Sequence, residues 1–319
     1  MKQSGIVFSC IIPASKKDVD SQNLKDLIAS IKAQVFPQDQ IEILVITQGD
    51  SEQAKAIGIR RAKGEICAMF CSDNKLMNPV IFLTVKKWFD KIQNLTGYYS
   101  HHYFYEKSDN SLNRYFSLIG NNDPIPFYLN KADRRPHYED NNTTMYDLVR
   151  LYGHVPSVGD NGFFVRRNLI LKSDLDHYYP MDCFQDIIKK GDSYFLRDWN
   201  SYIWHRTSDK LINFLTKRYR YARDLYCDRQ DRRWRMVDGA KDHWGLLKFI
   251  IFTLTLIQPI WVSIRGFRKV RDFAWFWHPI VCIGFLFTYT ILVCRNIIKH
   301  QFVFQRSNVK KPLNVALEA

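Results

Sequence analysis

The sequence has no paired cysteines. Its seven cysteines are scattered over 319 residues without a Cys-x-x-Cys motif. Cys67 and Cys71 lie close together, but no histidine or second cysteine pair accompanies them, which argues against a zinc site. Such cysteines are typical of reduced thiols in a cytosolic compartment. A signal-peptide pattern is also missing, because the apolar run at residues 6–12 has only strand length and ends at Pro13.

The first two thirds of the chain lack a charge excess. Up to His205, 25 lysines and arginines face 24 acidic residues, whereas from Arg206 onward the numbers are 21 and 8. Almost all of the formal net charge of +14 therefore belongs to the last third. This asymmetry predicts an anionic partner for the last third, either nucleic acid or a membrane surface.

Short strands and helices alternate at the start of the chain. Apolar segments at residues 6–12, 41–47 and 65–71 have strand length, and residues 21–35 and 52–63 have helical spacing. Such a β-α-β-α-β series predicts a parallel sheet with a ligand site at the carboxyl ends of its strands. Further helices are predicted at residues 79–93 and 182–190, further strands at 161–166 and 193–204, and irregular structure at 97–150.

The last third begins with a basic helical region and continues with two apolar runs. Residues 206–235 hold ten lysines and arginines and four aspartates in a helical pattern, which is typical of an interfacial helix. The run at 273–294 has 22 residues and no charge, and the run at 244–262 has 19 residues with Lys248 as its only charge. A membrane span needs about 20 apolar residues, so the second run qualifies and the first is marginal.

Both flanks of the second apolar run are basic. The linker before it and the tail after it contain Arg265, Arg268, Lys269 and Arg271, and Arg295, Lys299, Arg306, Lys310 and Lys311, respectively. Two full spans would place the linker cations across the membrane, against the positive-inside rule. Gln258-Pro259 permits a broken, re-entrant or interfacial first run instead. We expect membrane attachment and leave the number of full spans open.

Five segments follow one another in a recognisable order between residues 6 and 205. They are "VFSCIIPASKK", "IEILVITQGDS", "GIRRAKGEICAMFCSDNKLMNP", "DNGFFVRRNLI" and "MDCFQDIIKKG". In this order, the chain resembles the family 2 glycosyltransferases of the GT-A fold, specifically bacterial members attached to membranes. The resemblance implies a mostly parallel α/β nucleotide-sugar-binding domain at 1–205, a basic interfacial region at 206–243, membrane segments at 244–300 and a basic tail at 301–319.

The resemblance also implies an activity and its partners. A sugar would move, with inversion, from a nucleotide-sugar donor to a lipid-linked glycan or polyprenyl-phosphate acceptor. The reaction would take place at the cytoplasmic face of the inner membrane, among membrane lipids. Nucleic acid is not expected, because an anionic membrane explains the same cations; a homo-oligomer is possible. Implied donor-binding residues are Pro13, Ala14, Thr47, Gln48, Gly49, Arg60, Lys63, Ser72, Asp73 and Asn74.

The predicted metal site rests on Asp73, with His205 as a second ligand. Mg²⁺ or Mn²⁺ takes oxygen ligands and offsets the charge of a leaving diphosphate. The family's metal motif is Asp-x-Asp, whereas this chain has Cys71-Ser72-Asp73. Asp73 as a turn cap and His205 as a structural residue are the alternatives. The missing carboxylate also motivates a second hypothesis, a catalytically inactive GT-A scaffold or partner subunit in a glycan-synthesis complex.

Asp182 is the predicted catalytic base, and Asp186, one helical turn later, is the alternative. Either aspartate could instead be a cap or a solvated side chain. If the acceptor is a lipid phosphate, no strong base is needed, because the phosphate is already an anion.

Acceptor contacts are predicted at two places. The turn with Asp160, Asn161 and Gly162 permits close backbone approach, although an ordinary hairpin turn would have the same residues. Arginines match phosphate oxygens, so the second place comprises Arg218, Arg220 and Arg223. Lipid headgroups are the alternative partners for these arginines. Asp123, within an insertion at 114–135, is a further candidate without a mechanism.

Overall fold

The computed structural model describes residues 5–132, 134–139, 157–191, 194–228, 232 and 234–309. Residues 310–319 of the predicted basic tail and residues 140–150 of the predicted irregular segment lie outside these ranges. The described chain forms a seven-stranded sheet with helices on both faces, followed by a group of helices at the carboxyl end.

The sheet has the strand order β2-β1-β3-β6-β5-β7-β4. Its strands are β1 (Phe8–Pro13), β2 (Ile41–Ile46), β3 (Ile66–Met69), β4 (Asn74–Leu76), β5 (Leu95–Tyr103), β6 (Phe163–Arg166) and β7 (Tyr194–His205). β1 pairs in parallel with β2 and β3, and β5 with β7, whereas β6 and β4 run antiparallel to their neighbours. Five strands therefore point the same way, which confirms a mostly parallel α/β sheet.

The helices are α1 (Gln22–Lys32), α2 (Ser51–Arg61), α3 (Ile81–Lys91), α4 (Ser111–Ile119), α5 (Pro124–Tyr128), α6 (Arg167–Ile170), α7 (Pro180–Lys189), α8 (Leu211–Ala222), α9 (Gly239–Thr255), α10 (Ile257–Lys269) and α11 (Trp277–Val309). Short 3₁₀ segments occupy Gln38–Gln40 and Phe273–Phe276, and a π-helical turn occupies Arg223–Asp228. The predicted strands and helices of the first ninety residues are all present, with slightly shorter bounds.

Side chains of β1 alternate between two apolar cores. Ile11 faces the core that contains α2 and α7, whereas Cys10 and Ile12 face the core that contains α1 and α3. This alternation follows from the two-residue period of a strand. β2 was predicted to be buried, but five of its six residues are only half-buried, because it is the edge strand of the sheet and has a neighbour on one side.

Local sequence signals fix the ends of the first two helices. Ser21 caps α1 by accepting a hydrogen bond from the backbone N–H of Leu24. Asp50 and Gln53 form a capping box at the start of α2. Gly64 was predicted to end α2, but α2 already ends at Arg61. A Cβ at Gly64 would lie 2.8 Å from the backbone of Phe8, so this glycine permits close packing against β1.

β5 was predicted to be irregular and is instead a central strand. It lies between β6 and β7, and all nine of its residues are buried. The sequence hides it because the strand contains tyrosines, histidines and a serine rather than an alternating apolar pattern. One of its polar side chains has a buried partner on β7, since Tyr98 Oη donates a hydrogen bond to Asp198 at 2.5 Å.

The carboxyl-terminal helices pack on α4 and α5 around a third apolar core. The first predicted apolar run is broken into α9 and α10, which meet at an angle of 83°. The break is at Leu256, whose φ of 59° is left-handed, two residues before the expected Gln258-Pro259. Within the described chain, only Phe273–Ile298 is an unbroken helical segment long and apolar enough to cross a membrane.

Candidate functional site

A cavity of about 620 Å³ lies at the carboxyl ends of β1, β3, β5 and β7. Its sheet side is lined by Pro13, Ala14, Ser15, Asp18, Gly49, Asp50, Ser51, Glu52, Ala54, Lys55, Cys71, Ser72, Asp73, Tyr103, Asp160, Asn161 and His205. Its helical side is lined by Asn121, Asn122, Asp123, Pro126, Ser157, Thr207, Phe214, Lys217, Arg218, Tyr221, Met236 and Tyr289. The location agrees with the ligand position predicted from the strand-helix series.

Strand pairing brings Asp73 and His205 together. β4 pairs with β7 so that Asn74 is opposite His205, and the carbonyl of Asp73 accepts a hydrogen bond from the Arg206 N–H at 3.0 Å. As a result, Asp73 Oδ1 lies 3.5 Å from His205 Nε2. The two predicted metal ligands, 132 positions apart in the sequence, are therefore neighbours in the cavity wall.

The environment of Asp73 favours a carboxylate that is ready for a cation. Burial would raise the pKa of Asp73, but the charges of His205 and Lys217 lower it below its ordinary value. Its Oδ1 atom is buried, and among the described residues no donor meets it with hydrogen-bond geometry, although His205 Nε2 lies 3.5 Å away. A buried carboxylate oxygen without a donor is a costly arrangement unless a ligand completes it.

The His205 ring is held from its other side. Asn122 Nδ2 lies 3.4 Å from His205 Nδ1, and Thr207 Oγ1 donates to Asn122 Oδ1 at 3.3 Å. Because the Thr207 hydroxyl bonds the amide oxygen, the amide nitrogen faces the ring. Nδ1 then accepts, and Nε2 carries the proton that faces Asp73. Coordination of a cation through Nε2 would therefore require the other tautomer, in which the contact with Asn122 is no longer a hydrogen bond.

The Asp73 and His205 pair fits a divalent cation that keeps other ligands from water or phosphate. Mg²⁺ is commonly bound through one or two carboxylates plus substrate phosphate oxygens, and in this pair Asp73 supplies the carboxylate. Among the described residues, no group of three histidine, cysteine or acidic side chains could hold a metal. Cys71 adds no hard ligand, because burial and the nearby Asp160 raise the pKa of its thiol to about 12. The two residues are therefore a partial ligand set.

Asn74, a predicted donor contact, supports the site from behind. Its Oδ1 accepts from the Cys71 N–H at 2.9 Å, and its Nδ2 donates to Asn161 Oδ1 at 3.1 Å. It does not line the cavity. These bonds join the loop after β3 to the turn before β6, so Asn74 positions both walls of the cavity.

Lys55 is a cavity residue that the sequence interpretation missed. It lies on α2 with 4% of its surface exposed, and its Nζ is 2.6 Å from Asp160 Oδ1. Burial would lower the pKa of Lys55, but the Asp160 carboxylate raises it well above its ordinary value. Burial also raises the pKa of Glu52, although Lys55 opposes this. A lysine among small residues on the inner face of α2 was the signal that could have revealed it.

Besides Asn74, four of the predicted donor contacts do not line the cavity. Thr47 and Gln48 are exposed, and Gln48 accepts a hydrogen bond from Arg61 at 3.1 Å. Arg60 pairs with Asp176 at 3.4 Å on the surface, and Lys63 is exposed. α2 runs back from the carboxyl edge of the sheet, so its first turn reaches the cavity and its last turn does not. Pro13, Ala14, Gly49, Ser72 and Asp73 do line the cavity.

The turn before β6 contributes two side chains and two closely packed glycines. Asp160 and Asn161 line the cavity as predicted, whereas Gly162 does not. A Cβ at Gly162, whose φ is +73°, would lie 2.5 Å from Ile203. A Cβ at Gly159 would lie 2.2 Å from Pro180. The glycines are therefore explained by packing.

Asp182 and Asp186 are not among the described residues that line the cavity. Asp182 is 3% exposed and accepts hydrogen bonds from Arg232 Nε at 3.0 Å and from the Trp234 N–H at 2.7 Å. Asp186 accepts from the Asp174 N–H at 3.3 Å. Asp182 thus joins α7 to the segment before α9, and the role of catalytic base stays a prediction.

The helical side of the cavity carries cations and aromatic rings. Lys217 and Arg218 line it, together with Phe214 and Tyr221 from the same helix, α8. Of the three predicted arginines, only Arg218 does so; Arg220 is exposed and Arg223 pairs with Asp224 at 2.6 Å. Residues 214, 217, 218 and 221 share one helical face. This shared face explains why Arg218 lines the cavity and Arg220 does not.

Asp123 connects the cavity to the longest apolar helix. It caps α5 by accepting from the Ile125 N–H at 2.9 Å, and it accepts from Tyr289 Oη of α11 at 2.6 Å. Burial raises the pKa of Asp123, and the nearby Arg218 only partly opposes this. Because Tyr289 itself lines the cavity, α11 contributes directly to the site.

No family model matches the chain, and no curated protein matches it in sequence. Several solved structures are similar to it at low identity. TarS residues 1–349 from S. aureus are 10% identical, with 88% of this chain and 89% of that chain covered and a TM-score of 0.46.

Two other similar structures were solved with a sugar nucleotide and Mn²⁺. The mannosyltransferase PcManGT from Pyrobaculum calidifontis, in complex with GDP-Man and Mn²⁺, is 11% identical, with 91% and 86% covered and a TM-score of 0.48. Glucosyl-3-phosphoglycerate synthase from Mycobacterium tuberculosis, in complex with Mn²⁺ and UDP-glucose, is 12% identical, with 70% and 79% covered and a TM-score of 0.41.

Proposed function

We propose that the chain is a glycosyltransferase that moves a sugar from a nucleotide-sugar donor to a lipid-linked glycan or polyprenyl-phosphate acceptor. The proposed place of action is the cytoplasmic face of the inner membrane. One observation carries the proposal. A single cavity joins the Asp73 and His205 pair at the sheet edge to the cations of α8 and to Tyr289 on the apolar helix α11.

The sheet side of the cavity suits the donor. Asp73 and His205 would hold Mg²⁺ or Mn²⁺, and the bound ion would offset negative charge on the leaving diphosphate. Lys55 adds a buried cation whose raised pKa keeps it charged. Asp160, paired with Lys55, is oriented to accept a hydrogen bond from a sugar hydroxyl. Together these groups balance a diphosphate and position the sugar beside it.

The helical side suits an anionic, partly apolar acceptor. Lys217 and Arg218 supply charge for a phosphate, and Arg binds phosphate oxygens with two donors. Phe214, Tyr221 and Tyr289 supply apolar surface on the same side. A phosphate acceptor is already an anion, so it can attack the sugar carbon with inversion without a strong base. For a hydroxyl acceptor, Asp182 remains the predicted base.

The test is turnover by the full chain in membranes or detergent. Release of nucleoside diphosphate would be measured from UDP-glucose, UDP-N-acetylglucosamine and GDP-mannose, with Mg²⁺ or Mn²⁺ and a polyprenyl phosphate. We expect Asp73→Asn to lower kcat/KM by about 100-fold, as removal of one charge-stabilising group does elsewhere. Asp176→Asn is the matched control, because Asp176 is exposed on the surface.

A catalytically inactive scaffold is the second candidate function. The observation that favours it is Cys71, a neutral thiol at the position where the resembled family has its first metal-binding carboxylate. An active enzyme turns over at least one donor, and the Asp73→Asn substitution lowers that turnover. A scaffold shows neither turnover nor metal-dependent nucleotide binding with any donor, and that result would overturn the leading proposal.

A further inference from the structure

The longest apolar helix has two unlike faces. One face of α11 is buried against α4, α5, α8, α9 and α10. Up to Leu292, the opposite face is an exposed apolar stripe with helical spacing, made of Phe276 at the helix start, Ile280, Ile283, Phe287 and Ile291. Farther along the helix, Val293, Ile297 and Ile298 are all exposed. Phe287 is 67% exposed. A helix surrounded by lipid would need no such division between a packed face and an open one.

Three hydrogen bonds tie residues 277–295 of α11 to polar parts of the protein. Trp277 Nε1 donates to Ser111 Oγ at 3.0 Å at the start of the helix, and Arg295 donates to Tyr219 Oη at 3.0 Å just past its middle. Between these two bonds lies the Tyr289 hydrogen bond to Asp123. If α11 crossed the bilayer, these groups and the exposed cations of α8 would lie in hydrocarbon, which is strongly unfavourable.

α9 and α10 also present exposed apolar stripes. On α9 the stripe contains Trp244, Leu247, Ile251 and Leu254, and on α10 it contains Ile257, Ile260, Trp261 and Ile264. The helices have 17 and 13 residues, and each is too short for a span of about 20 residues. Their bend of 83° also prevents them from forming one straight span.

Cations border these stripes on both sides of the bend. Lys248 lies 5.6 Å from the Trp244 ring and Arg265 lies 5.3 Å from the Trp261 ring. Further cations follow at Arg268, Lys269 and Arg271, before α11, and at Arg295, just past the middle of α11. Cations beside exposed aromatic and aliphatic residues are complementary to an anionic lipid surface.

We propose that α9, α10 and α11 form one helical layer that lies in the plane of a single leaflet and does not cross the membrane. The apolar stripes enter the acyl region, and the bordering cations contact anionic headgroups. This arrangement keeps the linker and tail cations on the same side as the cavity, which agrees with the positive-inside rule. This arrangement concerns membrane topology rather than sugar transfer, so both experiments below are independent of transfer activity.

The deciding experiment is topology in intact cells. Val270→Cys and Ser307→Cys would each be placed in a chain with Cys294→Ser and exposed to a membrane-impermeant maleimide. We expect no labelling from outside the inner membrane and labelling of both cysteines once the membrane is opened. Labelling of the residue 307 cysteine from outside would show that α11 crosses the membrane and would overturn the proposal.

A second experiment tests the apolar stripe with the purified full chain and lipid vesicles. We expect Phe287→Glu to lower partitioning onto phosphatidylcholine vesicles containing phosphatidylglycerol by about tenfold or more. The reason is that a phenyl ring that would enter the acyl region is replaced by a charge. Val35→Glu is the matched control, since Val35 is 58% exposed but lies beside α1. The circular dichroism of both variants should match the parent chain.

Two results of the vesicle experiment would contradict the proposal. Equal losses in Phe287→Glu and Val35→Glu would mean that the stripe has no special role. A Phe287→Glu chain that changes from dimer to monomer in solution but keeps its vesicle binding would mean that a second copy covers the stripe. Nucleotide binding by Phe287→Glu should be unchanged, so failure here is distinguishable from failure of the proposed transfer activity.

Discussion

The sheet body, residues 8–205, and the helical layer of α9, α10 and α11 are both rich in apolar residues, but they place them differently. In the sheet body, strands such as β1 and β5 are covered on both faces. In the helical layer, each helix covers one face and leaves the other open. Apolar content alone therefore does not distinguish a core from a membrane-contacting surface; the distribution around each helix does.

The two regions also handle charge differently. The sheet body holds charges in specific pairs, such as Lys55 with Asp160 and Arg166 with Glu65. The helical layer carries an excess of cations along its borders, for which an anionic surface is the natural partner. The helical layer reaches the cavity through Tyr289 of α11, so substitutions in the two regions should separate donor-related effects from lipid-related effects.

The largest effect is expected from Lys55→Met in the sheet body. Asp160 would lose its buried cation and the donor would lose a positive contact, so we expect kcat/KM to fall by about 100-fold. Vesicle binding should not change. Lys25→Met, at an exposed position on α1, is the control. Unchanged nucleotide affinity in Lys55→Met would mean that Lys55 faces no part of the donor.

A smaller effect is expected from Asp182→Asn, at the link between the two regions. Loss of the Arg232 ion pair should lower the free energy of unfolding by about 2–3 kcal/mol, measured by urea denaturation. With a polyprenyl phosphate acceptor, we expect turnover to fall less than about tenfold, because an anionic acceptor needs no base. A much larger fall at unchanged stability would instead support Asp182 as the catalytic base.

The pH dependence of stability should report on Asp73. Its pKa is lowered in the folded chain, since the charges of His205 and Lys217 outweigh burial. Its stabilising contribution is therefore present above the ordinary aspartate pKa of about 3.9 and is lost as the pH falls through the lowered value. We expect the stability of Asp73→Asn to decline less steeply in acid than that of the parent chain. Parallel curves would contradict this.

The smallest effect is expected from Leu256→Gly at the bend of the helical layer. Glycine tolerates the left-handed backbone that Leu256 adopts, so stability should rise or stay within about 1 kcal/mol. Leu256→Pro, whose ring excludes a positive φ, is the opposing variant and should open the bend. A loss of more than about 2 kcal/mol in Leu256→Gly would mean that the leucine side chain holds the bend.

The parts of the fold that follow local patterns could be predicted from the sequence. β1, α1, β2, α2 and β3 have clear periodicity and caps, and their order was enough to place a ligand site at one sheet edge. β5 could not be predicted, because its tyrosines and histidines are buried by neighbouring strands that come much later in the chain. Its burial depends on tertiary partners rather than on local preference.

The candidate site was predictable where it follows a strand end and not where it depends on a helix face. Asp73 follows β3, His205 ends β7 and Asp160 lies in the turn before β6, and all three line the cavity. Arg60 and Lys63 were chosen from the wrong end of α2, whereas Lys55 was missed because a buried lysine contradicts the usual preference. The direction of a side chain around the helix and its distance from the cavity end of α2 decide whether the residue reaches the cavity.

The pairing of β4 with β7 has a consequence for how the protein is made. Asp73 meets His205 only because Asn74 is opposite His205 in that ladder, and a slip of one residue would turn the side chains to the other face. The site is therefore assembled by the last strand of the sheet to be synthesised. A nascent chain released before residue 205 holds β1 to β6 and still lacks the second proposed ligand. Capacity to bind a cation at this place should thus mark a completed sheet, and the bound ion should in turn hold its closing edge in register.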